Sequence, residues 1–260
     1  MPTHDTRFEG IRRLYGDKAL NLIQSLHICV VGTGGVGSWA VESLARSGVG
    51  ELTLVDYDTI DVSNTNRQIH TLASTIGQKK IQVLAERCRE INPAIKLNLI
   101  DDFLNRENMA DILERNYHYV IDAIDSITFK ADMIYYCKHN KIPILMTGGA
   151  GGLTDPTMIE ISDLSKTYND ALAAKVRTRL RNDYGFSKNG KRRFRVECVF
   201  SRQPPVYPKE DGTVSRDKPG VHGISLDCNM GYGTASHVTA TFGFVAASRV
   251  IEKSLKKYRT

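Results

Sequence analysis

The chain has 260 residues and a formal net charge of +6, with 41% hydrophobic and 25% charged residues. These fractions are ordinary for a globular protein and exclude an intrinsically disordered chain. No stretch approaches the roughly 20 apolar residues of a membrane helix, so we expect no membrane span. The five cysteines include no C-x-x-C pair, which argues against a zinc ribbon or a redox dithiol. The N-terminal residues do not resemble a signal peptide, so we expect a reduced, cytoplasmic setting.

Strands alternate with helices through the N-terminal half of the chain. Short apolar runs predict strands at residues 27–31, 51–55, 96–100, 119–121 and 142–147. Helical spacing of apolar residues predicts helices at residues 36–47 and 75–92. This alternation is typical of right-handed βαβ units. It predicts an α/β fold with a Rossmann-like, doubly wound and mostly parallel sheet, whose nucleotide-binding domain covers residues 1–163.

The remaining residues, 164–260, are expected to form a small, partly mobile C-terminal lobe within the same compact unit. Strands are predicted at 157–161 and 195–200, and a closing helix at 234–257. Residues 201–223 hold four of the eight prolines and predict a long mobile loop. The segment 175–195 carries nine lysines and arginines against one acid, and most such charge runs are solvated surface.

A glycine-rich turn that reads GTGGVGS follows the first strand. Gly32, Gly34 and Gly37 satisfy the G-x-G-x-x-G pattern, and Gly35 adds a fourth glycine. Such glycines let the backbone approach a phosphate at the N-terminus of the next helix. Asp56 ends the second strand, where a carboxylate can bind ribose hydroxyls. The pattern predicts an adenosine nucleotide, and by itself it also fits a nicotinamide-dependent dehydrogenase.

Polar residues beyond the second strand favour a triphosphate. This part of the chain brings together Asp58, Asn64, Arg67 and Lys80. A triphosphate carries about four negative charges and requires cations near its far end, which Arg67 and Lys80 can supply. Asp125 follows the fourth strand, at the edge where ligands bind in such sheets, and could hold Mg²⁺. Asp122, at the end of that strand, fits a helix cap and a catalytic role about equally.

Together these motifs resemble the ubiquitin-activating, or E1-like, superfamily. The resemblance covers roughly residues 7–163 and is carried by GTGGVGS, DYDTIDVSNTNRQ, GQKK and DAIDS. It implies an enzyme that uses ATP and Mg²⁺ to adenylate a carboxylate, with catalysis by Arg67, Lys80 and Asp125. The implied ligands are Asp56 for the ribose, Asn64, Arg67 and Lys80 for the phosphates, and Asp125 for Mg²⁺. The resemblance also implies a homodimer in which an N-terminal arginine enters the partner's site; the candidates are Arg7, Arg12 and Arg13, of which we favour Arg13.

Within that superfamily, the chain most resembles the family of tRNA threonylcarbamoyladenosine dehydratases. The likeness spans nearly the whole chain and includes RLYGDKAL, NTNRQIH, TGGAGG, LAAK, CVFS and VTATFGFVA. It implies adenylation of the threonyl carboxylate of a modified adenosine next to the anticodon, followed by ring closure with net loss of water. The basic segment Lys175 to Arg195 would then bind tRNA, because tRNA binding requires neutralisation of backbone phosphates.

Two other functions stay open at this point. One is adenylation of the C-terminus of a ubiquitin-like sulfur-carrier protein, against which the missing C-x-x-C pairs count. The other is a non-catalytic, ATP-sensing module that binds tRNA or a protein partner. Cys228 is the cysteine that we would test as a reactive thiol, a group that would suit work with a sulfur-handling accessory protein.

Overall fold

The structure is a computed structural model that describes residues 6–209, 211–217 and 232–259. The predicted reactive thiol, Cys228, lies outside the described residues. The other four cysteines, Cys29, Cys88, Cys137 and Cys198, are buried free thiols. Burial raises the pKa of the Cys29 thiol to about 12, so this thiol is inert at neutral pH.

The centre of the molecule is a sheet of seven strands. They are β1 (His27–Val31), β2 (Glu51–Val55), β3 (Lys96–Ile100), β4 (Tyr119–Asp122), β5 (Ile144–Thr147), β6 (Ile159–Asp163) and β7 (Glu197–Ser201). Their order is β3-β2-β1-β4-β5-β7-β6, and only β6 runs antiparallel to its neighbour. The predicted α/β fold with a mostly parallel sheet is confirmed. Because the strand order reverses between β1 and β4, the ligand crevice of such a fold lies at their carboxyl ends.

Helices cover both faces of the sheet. They are α1 (Glu9–Tyr15), α2 (Asp17–Ser25), α3 (Gly37–Arg46), α4 (Lys80–Ile91), α5 (Met109–Leu113), α6 (Ile127–His139), α7 (Ala171–Asp183) and α8 (Ser236–Arg259). Alternate side chains of β1 enter two separate cores: Ile28 and Val30 pack with α3, α4 and α8, whereas Cys29 and Val31 pack with α5, α6 and α7. No helix of the described chain is both long and apolar enough to cross a membrane.

The part of the chain after residue 163 contributes a strand to the central sheet and a helix that packs on one of its faces. Strand β7 lies between β5 and β6, and α8 packs against α3. The two helices touch at Gly243, where a Cβ atom would lie 2.6 Å from the carbonyl oxygen of Val36. The ring of Trp39, on α3, meets Phe244 of α8 edge-on, with centroids 5.8 Å apart. The mobility of this part stays a prediction.

Two local predictions are wrong. The helix predicted over 75–92 begins only at Lys80, because Gly77 has a φ of 83° and its N–H donates to Ile60 O at 2.8 Å. The preceding residues are thus tied to another segment. Within the predicted loop 201–223, Tyr207–Pro208 and Val214–Ser215 pair as an antiparallel hairpin, β8 and β9. Tyr207 is buried there and stabilises the hairpin. The sequence analysis missed it because the nearby prolines indicated a loop.

Candidate active site

The glycine-rich turn joins β1 to α3. Gly32 has a φ of 87°, and a Cβ atom there would lie 2.9 Å from the carbonyl of Ala123. A Cβ atom on Gly37 would lie 1.8 Å from the carbonyl oxygen of Gly32. Both positions therefore require glycine. Among the described residues no side chain caps the start of α3, so its backbone N–H groups can bind an anion.

Asp56 is fixed beside this turn. Its Oδ2 accepts hydrogen bonds from Thr33 N at 2.6 Å and from Thr33 Oγ1 at 2.9 Å. Its Oδ1 accepts a hydrogen bond from Asp58 N at 2.9 Å. The carboxylate thus lies beside the glycine-rich turn, and its contact with a ribose stays a prediction. Thr33, which holds it there, was missed because it occupies a variable position of the glycine pattern.

Lys80 is a buried cation at the first position of α4. Its side chain is 7% exposed, and its Nζ lies 2.7 Å from Asp58 Oδ2. The backbone N–H of Lys80 also donates to the carbonyl oxygen of Asp58, at 3.1 Å. A buried ammonium group is costly unless it is paired, and Asp58 pairs it while remaining 45% exposed itself. The structure therefore brings Lys80, Asp58 and Asp56 together.

Arg67 crosses the glycine-rich turn. A Cβ atom on Gly35 would lie 3.3 Å from Arg67 Cγ. The carbonyl oxygen of Arg67 accepts hydrogen bonds from Trp39 Nε1 at 2.9 Å and from Thr239 Oγ1 at 3.2 Å. Helices α3 and α8 therefore both hold the backbone of this residue. The residue is half-buried, and its guanidinium donates to Ser63 O at 2.8 Å, which directs it along the segment that precedes it.

Asn64 stabilises the turn that leads to Arg67. It is buried, and its Oδ1 accepts a hydrogen bond from Asp61 N at 3.0 Å. Asp61 Oδ1 in turn accepts one from Ser63 N at 2.8 Å, a reciprocal capping arrangement. A contact between Asn64 and phosphate stays a prediction.

A buried ion pair lies beneath the loop that carries Asp125. Asp122 and Lys130 of α6 are both 0% exposed, and Lys130 Nζ lies 2.6 Å from Asp122 Oδ1. Burial raises the pKa of Asp122 to about 6, although Lys130 acts to lower it. Asp122 therefore neither caps a helix nor acts in catalysis, the two roles predicted from the sequence, because its carboxyl group is fully buried and paired with Lys130. The pair joins the end of β4 to α6, on either side of the loop.

Asp125 itself lies in the loop between β4 and α6 and is exposed. Among the residues that the structure describes, no group of three or more histidine, cysteine, aspartate or glutamate side chains is placed to hold a metal ion. One exposed carboxylate suits Mg²⁺, which in nucleotide sites is bound mainly by phosphate oxygens and water. The residues present fit magnesium that arrives with a nucleotide, and they do not form a dedicated metal cage.

Asp170 is a further buried group that sequence analysis missed. Its Oδ1 accepts a hydrogen bond from Ala173 N at 2.8 Å and caps α7, and its Oδ2 accepts one from Gly149 N at 3.0 Å. A Cβ atom on Gly148 would lie 1.8 Å from Asp170 Oδ2. The glycine loop after β5 is thus a tight bend fixed to α7. An aspartate directly before a helix is the signal that could have found this cap.

His70 lies close to the cation of Lys80. It is 1% exposed, and within the described chain neither ring nitrogen has a hydrogen-bond partner. Burial, and next the charge of Lys80, lower the pKa of His70 to about 4. The ring is therefore neutral at pH 7 and adds no third cation beside Lys80 and Arg67.

The N-terminal arginines differ in how firmly they are bound. Arg12 contacts Glu9 at 2.5 Å and Asp17 at 3.2 Å. Arg13 is 76% exposed and makes a longer contact with Glu9, at 3.1 Å. Of these two, Arg13 is the one that can reach outward at low cost.

The basic segment Lys175 to Arg195 presents its charge unevenly. Arg181 on α7 lies over the ring of Phe194, with Cζ 5.4 Å from the ring centroid. Arg179 lies 3.4 Å from Asp183. The exposed cations of this segment are Lys175, Lys188, Lys191, Arg192, Arg193 and Arg195. Most of them lie in the loop after α7, so that loop is the more cationic part.

The sequence was compared with protein families and with curated proteins. The sequence model of the ThiF family matches residues 9–259. The chain is 53% identical to the tRNA threonylcarbamoyladenosine dehydratase of Escherichia coli K12, over 96% of this chain and 94% of that protein. It is also 53% identical to the dehydratase of the same name from Haemophilus influenzae, over 99% of this chain and 96% of that protein.

A solved structure is also similar over the whole chain. It is the E. coli tRNA N6-threonylcarbamoyladenosine dehydratase in complex with ATP, with a TM-score of 0.88 and 48% identity over 100% of this chain and 98% of that one. The similarity therefore covers the sheet, the turn and the part of the chain after residue 163 alike.

Proposed function

The chain belongs to the ThiF family, and from this premise we propose that it is an ATP-dependent tRNA threonylcarbamoyladenosine dehydratase. The observation that carries the proposal is the 53% sequence identity to two curated dehydratases over nearly the full length of the chain. Binding of ATP is supported by the similar structure solved with ATP and by the glycine turn, Asp56 and Lys80 at one edge of the sheet.

The first task of the site is to hold ATP. The start of α3 offers backbone N–H groups to the phosphates, and Asp56 accepts hydrogen bonds from the ribose. Lys80 and Arg67 supply positive charge, and Asn64 adds an amide donor. Asp58 keeps the buried ammonium of Lys80 in place, at 2.7 Å. Asp125 would hold Mg²⁺, which when bound neutralises charge on the phosphate oxygens.

The second task is to activate a carboxylate. An oxygen of the threonyl carboxylate attacks the α-phosphorus of ATP, the bond to the bridging oxygen breaks, and pyrophosphate leaves. Lys80 and Arg67 stabilise the negative charge that grows on the departing phosphates. A nitrogen of the same modification then attacks the acyl carbon, AMP leaves and a proton is lost. The ring closes with a net loss of water, and this capture needs no enzyme thiol.

The proposal also includes how tRNA and a second subunit bind. The exposed cations of the loop after α7 are suited to tRNA backbone phosphates, and a tRNA substrate would place the reaction in the cytoplasm. We include a homodimer in which Arg13 enters the partner's site. Its 76% exposure supports this choice. Docking of a sulfur-handling accessory protein stays a prediction.

The experiment that tests the function is a nucleoside digest of tRNA incubated with the protein, ATP and Mg²⁺, analysed by mass spectrometry. We expect threonylcarbamoyladenosine to become lighter by one water only when ATP is present. The Asp125→Ala variant, which changes an exposed side chain, should fold normally and give no product. An unchanged digest, together with ATP–pyrophosphate exchange that requires a sulfur-carrier protein, would contradict the proposal and favour carrier activation.

A further inference from the structure

Arg67, to which the proposed mechanism gives a phosphate contact, has its backbone held by side chains of two helices. Its carbonyl oxygen accepts hydrogen bonds from Trp39 Nε1 of α3 at 2.9 Å and from Thr239 Oγ1 of α8 at 3.2 Å. Arg67 O is the nearest of three acceptors to the Thr239 hydroxyl, since Ala235 O and Ser236 O lie at 3.4 Å. A carbonyl oxygen has two lone pairs, and here both have a donor. The proposed chemistry gives Trp39 and Thr239 no role.

The guanidinium of Arg67 is oriented by its neighbour in the chain, Asn66. Arg67 Nη1 donates to Asn66 Oδ1 at 3.0 Å and to Ser63 O at 2.8 Å. The Asn66 amide is fixed in turn, because its Nδ2 donates to Thr234 O at 2.9 Å and to Thr234 Oγ1 at 3.0 Å. An asparagine has an acceptor and a donor on the same amide group. One chain of hydrogen bonds therefore runs from the guanidinium to the residues that precede α8.

Thr239 also packs on the glycine-rich turn. It is 2% exposed, and a Cβ atom on Gly35 would lie 3.5 Å from Thr239 Cγ2 and 3.3 Å from Arg67 Cγ. Four residues further along α8, a Cβ atom on Gly243 would lie 2.6 Å from the carbonyl oxygen of Val36. Helix α8 is thus packed tightly against the turn that is expected to bind phosphates, and this packing fixes the position of Thr239.

Both ends of Arg67 are therefore held by the protein itself. A free arginine side chain has many rotamers, and ordering it when a ligand binds costs free energy. A charge that is already in place stabilises a transition state better than one that must first move. We propose that Trp39, Asn66 and Thr239 are positioning residues, which hold Arg67 in the orientation that binds the triphosphate. This inference rests on the proposed function, because that function gives Arg67 its contact with phosphate.

The same hydrogen bonds also stabilise the fold, so the variants have to separate positioning from stability. Thr239→Val removes the hydroxyl group and keeps a similar shape, whereas Thr239→Ser keeps the hydroxyl. Asn66→Ala removes the link to the guanidinium, and because Asn66 is exposed, this variant should fold normally. The matched control is Thr241→Val. Thr241 Oγ1 donates to His237 O of its own helix at 2.7 Å, so this variant makes the same change on α8 without touching Arg67.

The test is a calorimetric titration of each variant with ATP and Mg²⁺, which requires no tRNA. Asn66→Ala and Thr239→Val are each expected to weaken ATP binding about fivefold, the equivalent of one hydrogen bond of ordinary strength. Thr239→Ser and Thr241→Val should bind ATP within about twofold of the natural protein. In tRNA dehydration, Asn66→Ala and Thr239→Val should lower kcat and leave the KM for tRNA unchanged.

A second set of variants carries the same changes in an Arg67→Ala background. If the two side chains act through Arg67, neither Asn66→Ala nor Thr239→Val should alter the ATP affinity of Arg67→Ala by more than about twofold. Losses of equal size in the two backgrounds would overturn the inference, because they would show an effect on the site that does not involve Arg67. Undiminished ATP affinity of Asn66→Ala and Thr239→Val would overturn it too. If the natural protein binds ATP but never dehydrates tRNA, the proposed function fails, and the titrations still decide the role of these residues.

Discussion

Replacing Lys80 with methionine is expected to lower kcat for tRNA dehydration by about a hundredfold to a thousandfold. A fixed charge that faces a growing negative charge is worth about this much when it is removed. Lys80 is held at 2.7 Å from Asp58, so in the proposed mechanism its charge faces the departing phosphates without reorganising. Methionine fills a similar volume, and the 45% exposed Asp58 can be hydrated once its partner is lost. The measurement is kcat at saturating ATP and tRNA.

The neighbouring lysine provides a matched control. Lys79 is 40% exposed and pairs with Asp101 at 2.8 Å, a surface contact of small energetic value. Lys79→Met therefore removes the same charge one residue away and should keep kcat within about twofold of the natural protein. Equal kcat values for the two variants would show that charge at Lys80 has no special part in the reaction.

The second large effect is on folding. Lys130→Met is expected to lower the free energy of unfolding by about 3–5 kcal/mol at pH 7.5, because it leaves the buried Asp122 without a partner. Both residues are 0% exposed, so water cannot compensate for the loss. Urea unfolding of the natural protein and the variant at one pH measures the difference.

The pH dependence of this loss follows from the pKa of Asp122. Burial raises that pKa to about 6 in the natural protein, and removal of Lys130 raises it further. A carboxyl group with a raised folded-state pKa favours folding at low pH and loses this contribution as pH rises through that pKa. The cost of Lys130→Met should therefore be smaller at pH 5.5 than at pH 7.5, by up to about 1.4 kcal/mol per pH unit.

A double variant separates charge from packing. Asp122→Asn combined with Lys130→Met leaves no buried charge, so we expect it to regain most of the stability that Lys130→Met loses. If the double variant is as unstable as Lys130→Met alone, lost packing and not the unpaired charge would explain the effect.

Periodicity alone predicted most of the strands. Strands β1, β2 and β3 begin and end at the predicted residues. Of these, β1 and β2 are buried, and buried parallel strands are short apolar runs bounded by polar or glycine residues. The glycine turn was equally predictable, since a Cβ atom on Gly37 would meet the carbonyl oxygen of Gly32 within one βα unit. Such local features depend on neighbours in the chain, which the sequence displays.

Features that join distant segments were missed. The hydrogen bonds to the Arg67 carbonyl oxygen come from Trp39 and Thr239, which are distant in the chain, so no local sequence pattern predicts them. A lysine in a helix is normally expected to be exposed. Lys130 is buried only because α6 packs against β4, which the local sequence does not show. The hairpin of β8 and β9 was hidden for a similar reason: proline and charge suggested a loop, whereas the buried ring of Tyr207 anchors it.

The central claim, adenylation of the threonyl carboxylate, is tested most directly by oxygen tracing. The substrate is tRNA whose threonyl carboxylate carries ¹⁸O, incubated with the protein, ATP and Mg²⁺. Attack on the α-phosphorus makes one carboxylate oxygen part of the leaving AMP, so we expect AMP that contains one ¹⁸O for each base dehydrated. Label in inorganic phosphate, or dehydration that leaves AMP unlabelled, would contradict the account.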